Sequence, residues 1–256
     1  MIVDGFTFFN EFDLLKLRLN ELAGTVDLFV LVEAARTFSG QEKPLYFAER
    51  KEEFRDYPIA HVVVNDMPVV ATAWAREYWQ RNAIVRGLDL VPDDAVVMVS
   101  DVDEIPLPAA VPTSVAVAEL QYFEQQFFYY DMHTRALGSW FGTRATRAGN
   151  VKRWTPQGIR DKGNVVVSPG GWHFTYTGGV QAIIRKIESF SHQEYNNPAV
   201  KNQQRIAAVI NEGRDLFGRD QLMQFERVEG VAHLPRYVQE HVAEYVKAGL
   251  LKESRV

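Results

Sequence analysis

Cysteine is absent from all 256 residues, which excludes disulfide scaffolds, thiolate nucleophiles and Cys-ligated zinc. A cysteine-free chain suits a reducing compartment. No apolar run approaches the ~20 residues that a membrane-spanning helix needs. The N-terminal stretch "MIVDGFTFFNEFD" carries acids early and lacks a basic region leading into a long apolar segment, so it does not read as a secretory signal. The expectation is a soluble, cytoplasmic protein. Basic excess is missing too: 28 Lys and Arg face 33 Asp and Glu, a net charge of -5. Without a basic stripe the composition argues against a nucleic-acid partner, although a locally basic groove stays compatible with one. No internal repeat, low-complexity tract or linker interrupts the chain. With 46% hydrophobic residues it can bury a large core, and a single domain over residues 1–256 is expected.

What is present is an alternation of strand and helix patterns. "IVDGFTFF" reads as a strand. Asn10 is placed as a helix N-cap, with Phe12, Leu15, Leu19 and Leu22 following at helical spacing and Gly24 suited to a left-handed end. The apolar run 26–34 has the pattern of a strand covered on both faces. Residues 59–65 and 95–101 read as further strands, with a helix over 74–90 between them. That order predicts an α/β sandwich with a mostly parallel central sheet flanked by helices. Strands are expected over 116–130 and from 164 into a Gly-rich turn. Helices follow around 180–190 and 199–213, and an amphipathic helix over 236–253 presents Val238, Val242, Tyr245 and Gly249 on one side.

The segment "VVMVSDVDEIPLP" (96–108) ends a buried-type strand in three acids, Asp101, Asp103 and Glu104. Ligands of open α/β sheets gather beyond the carboxyl ends of the strands. Residues two apart on extended backbone point the same way, so Asp101 and Asp103 can face one ligand. Two close carboxylates repel unless a cation intervenes, and a Mg²⁺-like ion is commonly held by one or two carboxylates, water and substrate phosphate. A merely solvated acidic turn is the competing reading. Arg81 lies on the preceding helix, either beside the acidic loop and a nucleotide phosphate or in a surface pair with Glu77. "GGWHFTYTGG" (170–179) brackets Trp172, which can stack on a sugar or base, and His173, which can ligate a metal. Both also fit a tight turn against the core.

Together, "DGFTFFNEFDLLKLRLNEL", "VDLFVLVEAARTFSGQEKPLYF", "REYWQRNAIVRGL", "SDVDEIP" and "GWHFTYTGG" with "KIESFSHQE" make the chain resemble glycosyltransferase family 17, over roughly residues 3 to 195. The resemblance implies a GT-A type, Rossmann-like sandwich, a UDP-sugar donor (UDP-N-acetylglucosamine by default), a divalent metal (Mn²⁺ or Mg²⁺) and inversion at the anomeric carbon. It carries the metal and diphosphate role onto Asp101 and Asp103; His173, from its own place in the Gly-bracketed segment, is a further candidate metal ligand. It puts Glu33 and Ala34 in the nucleotide pocket. The nucleotide-sugar part is expected over about 1–106, and the acceptor part with the C-terminal helices over about 107–256. The chain departs from the animal members in lacking cysteine and a membrane anchor and in being shorter. That puts a Golgi location and an N-glycan acceptor in doubt.

The mechanism this implies needs a carboxylate base for the acceptor hydroxyl. Glu104, Glu188, Glu194 and Asp161 are the candidates, and Glu194 is favoured because "SFSHQE" offers His192 nearby. The acceptor is a glycan or another hydroxyl compound, and Trp140 and Trp172 are sugar-platform candidates. Two alternatives stay open: a phosphohydrolase of the haloacid dehalogenase type, built on the same Asp-x-Asp, and a non-catalytic carbohydrate-binding protein exploiting the aromatic content.

Overall fold

The computed structural model describes residues 1–69 and 72–252. The first half runs β1 (Ile2–Phe8), α1 (Phe12–Leu22), β2 (Leu28–Ala34), α2 (Tyr46–Arg50), β3 (Ile59–Val64), α3 (Ala73–Asn82) and β4 (Val96–Asp101). Then come β5 (Glu104–Pro106), β6 (Gln121–Tyr129), β7 (Thr134–Trp140), β8 (Arg144–Arg147), α4 (Ala148–Trp154), α5 (Pro156–Arg160) and β9 (Val165–Thr175). The chain closes through α6 (Gly179–Ser189), α7 (Gln203–Glu212), β10 (Phe225–Arg227), α8 (Arg236–Glu240) and α9 (Val242–Lys247). This is a Rossmann-like α/β domain around one ten-stranded sheet, ordered β10-β7-β6-β8-β4-β1-β2-β3, with β9 joining β6 to β5.

β3, β2, β1 and β4 are mutually parallel, as are β6 and β9, while the remaining pairings are antiparallel. The parallel block explains the continuous apolar runs. In β2, Val30 and Val32 pack into one core cluster and Phe29 and Leu31 into the cluster on the opposite face. β4 divides likewise, Val97 and Val99 against Val96 and Met98. One face is closed by Ile84, Leu88, Val151 and Ile159, the other by Leu15, Leu19 and Leu22 of α1. Gly24 takes the expected left-handed conformation, φ +80°.

Several boundaries differ from the sequence expectation. Glu11, not Asn10, stands at the start of α1, and its carboxylate turns back to accept the N–H groups of Phe9 and Asn10. The expected helix over 74–90 tightens into a 3₁₀ turn at Ala83–Gly87. The strand expected from 116 starts at Gln121. The tail forms two short helices parted at His241, where φ is −127°. Glu253, included in the expected tail helix, lies outside the described residues. No helix among the described residues is long and apolar enough to cross a membrane.

Candidate active site

The acidic segment turns at 102–103 between β4 and β5, and the turn is held from beneath by a fully buried arginine. Arg18, on the inward face of α1, pairs with Asp4 through two contacts of 2.6 and 2.7 Å. Its remaining donors reach the carbonyls of Asp101, Val102 and Glu104 at 3.0, 3.3 and 2.7 Å and the Ser100 hydroxyl at 2.5 Å. One guanidinium thus satisfies a tight turn's carbonyls and fixes where its side chains emerge. They emerge into a cavity of about 480 Å³ beyond the carboxyl ends of β1 and β4, the position an open α/β sheet offers to a ligand.

Asp101 accepts from the Thr7 hydroxyl (2.8 Å), Arg81 (3.0 Å) and Arg160 (3.0 Å). Burial works against its charge, but Arg160 and Arg81 outweigh it and hold the carboxyl well below the usual carboxylate range. Asp103 meets Lys186 Nζ at 3.0 Å and His173 Nε2 at 3.5 Å. Burial again opposes ionisation, and Lys186 and His173 again override it, so this carboxyl too is held down. Reciprocally, burial pulls the Lys186 ammonium down while Asp103 and Glu11 raise it above its ordinary value. Glu11 is pushed the other way: burial raises its carboxyl, with Lys186 opposing.

Glu104 is saturated. It accepts from Trp140 Nε1 at 2.7 Å, the Asp101 N–H at 2.9 Å and both terminal nitrogens of Arg160. His173 sits opposite Glu104 in the β5–β9 ladder. Its ring is stacked on Phe127 at 4.7 Å and lies 4.6 Å from Trp140. Its Nδ1 is buried without a hydrogen-bond partner.

Arg81, Asp101, Asp103, Glu104, His173, Trp140 and Asp161 all line the cavity. Other expected site residues lie elsewhere. Glu33 and Ala34 are buried but off the cavity. Glu33 instead accepts the N–H groups of Phe47 and Ala48 at the start of α2 (2.9 and 3.3 Å), with His61 at 3.2 Å. Trp172, two places from Gly170 in β9, faces the core away from the cavity and donates its indole N–H to the His233 carbonyl at 2.7 Å. Glu194 is exposed and outside the cavity lining, bonded to His192 at 2.6 Å. Glu188 pairs with Lys201 at 2.8 Å, also off the cavity. Sequence reasoning missed Arg18, Arg160 and Lys186.

The fit of a divalent cation is a question of charge. Six carboxylates line the cavity (Glu11, Glu77, Asp101, Asp103, Glu104, Asp161) against six cationic side chains (Arg36, Lys43, Arg81, Arg160, Lys186, Arg219). A balanced lining carries no net positive charge, so an anionic ligand there would gain from an added cation. Among the described residues no three His, Asp or Glu side chains form a ready ligand group. The residues that would hold such an ion are the Asp101 and Asp103 carboxylates, now paired with Arg81, Arg160 and Lys186, with the adjacent His173 imidazole, and carboxylate oxygens are the donors a hard ion prefers.

A family model described as "Glycosyltransferase family 17" matches residues 1–247. The chain is 30% identical over 116 residues to a beta-1,4-mannosyl-glycoprotein 4-beta-N-acetylglucosaminyltransferase of Rattus norvegicus, covering 41% of this chain and 21% of that protein. The Homo sapiens and Mus musculus proteins of the same name are 30% and 29% identical over the same length, with 22% and 21% of their chains covered. The matched part spans about a fifth of the length of these relatives.

Proposed function

Because the chain belongs to glycosyltransferase family 17, we propose that it moves N-acetylglucosamine from UDP-N-acetylglucosamine to a hydroxyl of a glycan, with inversion and with a divalent metal. The observation that carries this reading is the meeting of Asp101 and Asp103 in a charge-balanced cavity at the sheet's carboxyl edge. Asp101, Asp103 and His173 would hold the ion, which when bound would neutralise charge on the departing diphosphate. The nucleotide occupies the side built from 1–106, where Arg36, Phe38 and Lys43 line the cavity. Family membership sets aside the phosphohydrolase and non-catalytic alternatives.

Inversion requires one displacement. The acceptor oxygen bonds to the anomeric carbon as the bond from that carbon to the diphosphate oxygen breaks, the electron pair leaving with the diphosphate. The acceptor's proton passes to a carboxylate. Of the sequence candidates, Glu188 and Glu194 lie off the cavity and Glu104 has its oxygens filled. Asp161 lines the cavity and is exposed, and its carboxylate has no hydrogen-bond or ion-pair partner among the described residues. Its lone pairs are free to take a proton and release it to solvent, so the base is assigned to Asp161 in place of Glu194.

A thermal-shift panel of nucleoside diphosphates and UDP-sugars, each with and without manganese, tests the donor side. The expected result is greatest stabilisation by UDP-N-acetylglucosamine with manganese. Equal stabilisation without the ion would refute the metal assignment, and none in any condition would refute the donor.

A further inference from the structure

We infer that the surface around Tyr122, outside the cavity, is a docking face for a membrane bearing anionic phospholipid. Its side chains take no part in the transfer proposed above, so docking is a property separate from that activity. Residues 144–162 hold six Arg and Lys against one acid, in a chain of net charge -5. The fold sets this basic stretch among apolar side chains. Lys162 Nζ lies 5.5 Å from the Trp154 ring, and the Arg144 guanidinium 5.6 Å from the Tyr122 ring. Tyr122 is 5.7 Å from Phe141 and stands beside Val166 in the β6–β9 ladder. Arg144 Nε donates to the Lys162 carbonyl at 2.6 Å, which joins the two halves. One turn before Trp154, Asn150 donates to the Val117 carbonyl at 2.8 Å and draws that loop in.

Val117, Phe141, Trp154, Val165 and Val166 are between 36% and 64% exposed, and none belongs to a buried cluster. Scattered exposed apolar residues are ordinary, but five gathered in one region mark an interaction surface. The cations among them are not neutralised. Arg144 uses its guanidinium on carbonyls, Arg153 and Lys162 are exposed, and none of the three has a carboxylate partner among the described residues. Of the acids nearby, Glu119 and Glu124 accept from Gln121 and Ser139, and Asp161 lines the cavity. Apolar side chains beside unpaired cations match a bilayer interface. Val, Phe and Trp enter the acyl boundary while Lys and Arg meet anionic headgroups. A second copy fits poorly, because a two-fold contact would set these cations against themselves. Nucleic acid would use the cations and rings but leave the valines without a partner. Docking would hold the cavity mouth at the bilayer, since Trp140 and Asp161 of its lining adjoin Phe141 and Lys162 in the chain.

The test floats the whole protein with phosphatidylcholine vesicles, with and without phosphatidylserine. Binding should require phosphatidylserine and weaken as salt is raised. Arg153→Glu combined with Lys162→Glu should weaken it about 25-fold or more, at about fivefold for each cation lost. Both positions are exposed, and thermal melts should show the variant folded. Brominated lipid in the same vesicles should quench tryptophan fluorescence, and Trp154→Phe should remove much of that quenching. Binding to neither vesicle, equal binding to both, or binding indifferent to the charge reversals overturns the inference. So does quenching unchanged in Trp154→Phe, which would leave Trp154 outside the bilayer. A dimer in sedimentation velocity that Phe141→Ser dissolves would also overturn it, making the face a contact between copies.

Discussion

At the scale of single residues, Arg18 bears the acidic turn. It is 0% exposed, as is its partner Asp4, so removing the guanidinium leaves a buried carboxylate unpaired and takes a donor from each of three carbonyls. Arg18→Met should cost about 3–5 kcal/mol, read by urea unfolding, and Asp4→Ala added to it should recover part of that loss. A cost under about 1 kcal/mol would mean that the turn is held by something else. Asp161→Asn should lower kcat by roughly 10²–10⁴ while donor stabilisation stays unchanged; near-normal turnover would move the base elsewhere. Part of this was legible in the sequence. Arg18 stands four after Leu14 and three after Leu15, on the apolar stripe of α1, and a charge there signals a buried partner. Lys186 likewise flanks the buried Ile183 and Ile187. Arg160 carried no such signal: its partners Asp101 and Glu104 are 59 and 56 positions away, and only the path of the chain brings them together.

Elements position what residues do, and β9 is the element that locks the turn from above. Its register sets Glu104 against His173 and Pro106 against Gly171. Gly171 has φ +124°, and a Cβ there would lie 2.2 Å from the Ile105 carbonyl oxygen. Gly171→Ala must therefore both strain the backbone and push β5 away. A stability loss of at least about 2 kcal/mol is expected, with weaker donor stabilisation because Asp103 and Glu104 shift with β5. An unperturbed melting curve would show that β5 yields without cost. The parallel strands were readable because both faces are covered, which writes runs such as Phe29–Val32 into the sequence. β7 was not readable: it is buried at Thr134 and Ala136 but open from Leu137 to Ser139, too irregular for a period of two. The tail's apolar spacing was real, since Val238 and Tyr245 are buried, yet the break at His241 puts them on separate helices.

For the molecule as a whole, the cavity's ion pairs tie global stability to pH. Asp101 and Asp103 have folded-state pKa values held below the ordinary 3.8. Their stabilisation is therefore complete above the unfolded value and is lost as pH falls toward the depressed folded ones. Glu11 acts in the opposite sense: its raised carboxyl favours the folded state more as acid is added, offsetting part of the loss. Two depressed groups against one raised group leave a net loss in acid from this cavity. The unfolding free energy should change little from pH 7 to about pH 5 and fall below about pH 4. Asp103→Asn separates this cavity from carboxylates elsewhere. The variant should start less stable at pH 7, because Lys186 loses its direct ion pair and keeps only the more distant Glu11, and should then decline less steeply than the parent below about pH 4. Urea titrations of both proteins across that range give the comparison. Parallel curves would mean that the Lys186–Asp103 contact contributes nothing to folding, and that Asp103 is held in the ionised form for ligand binding alone.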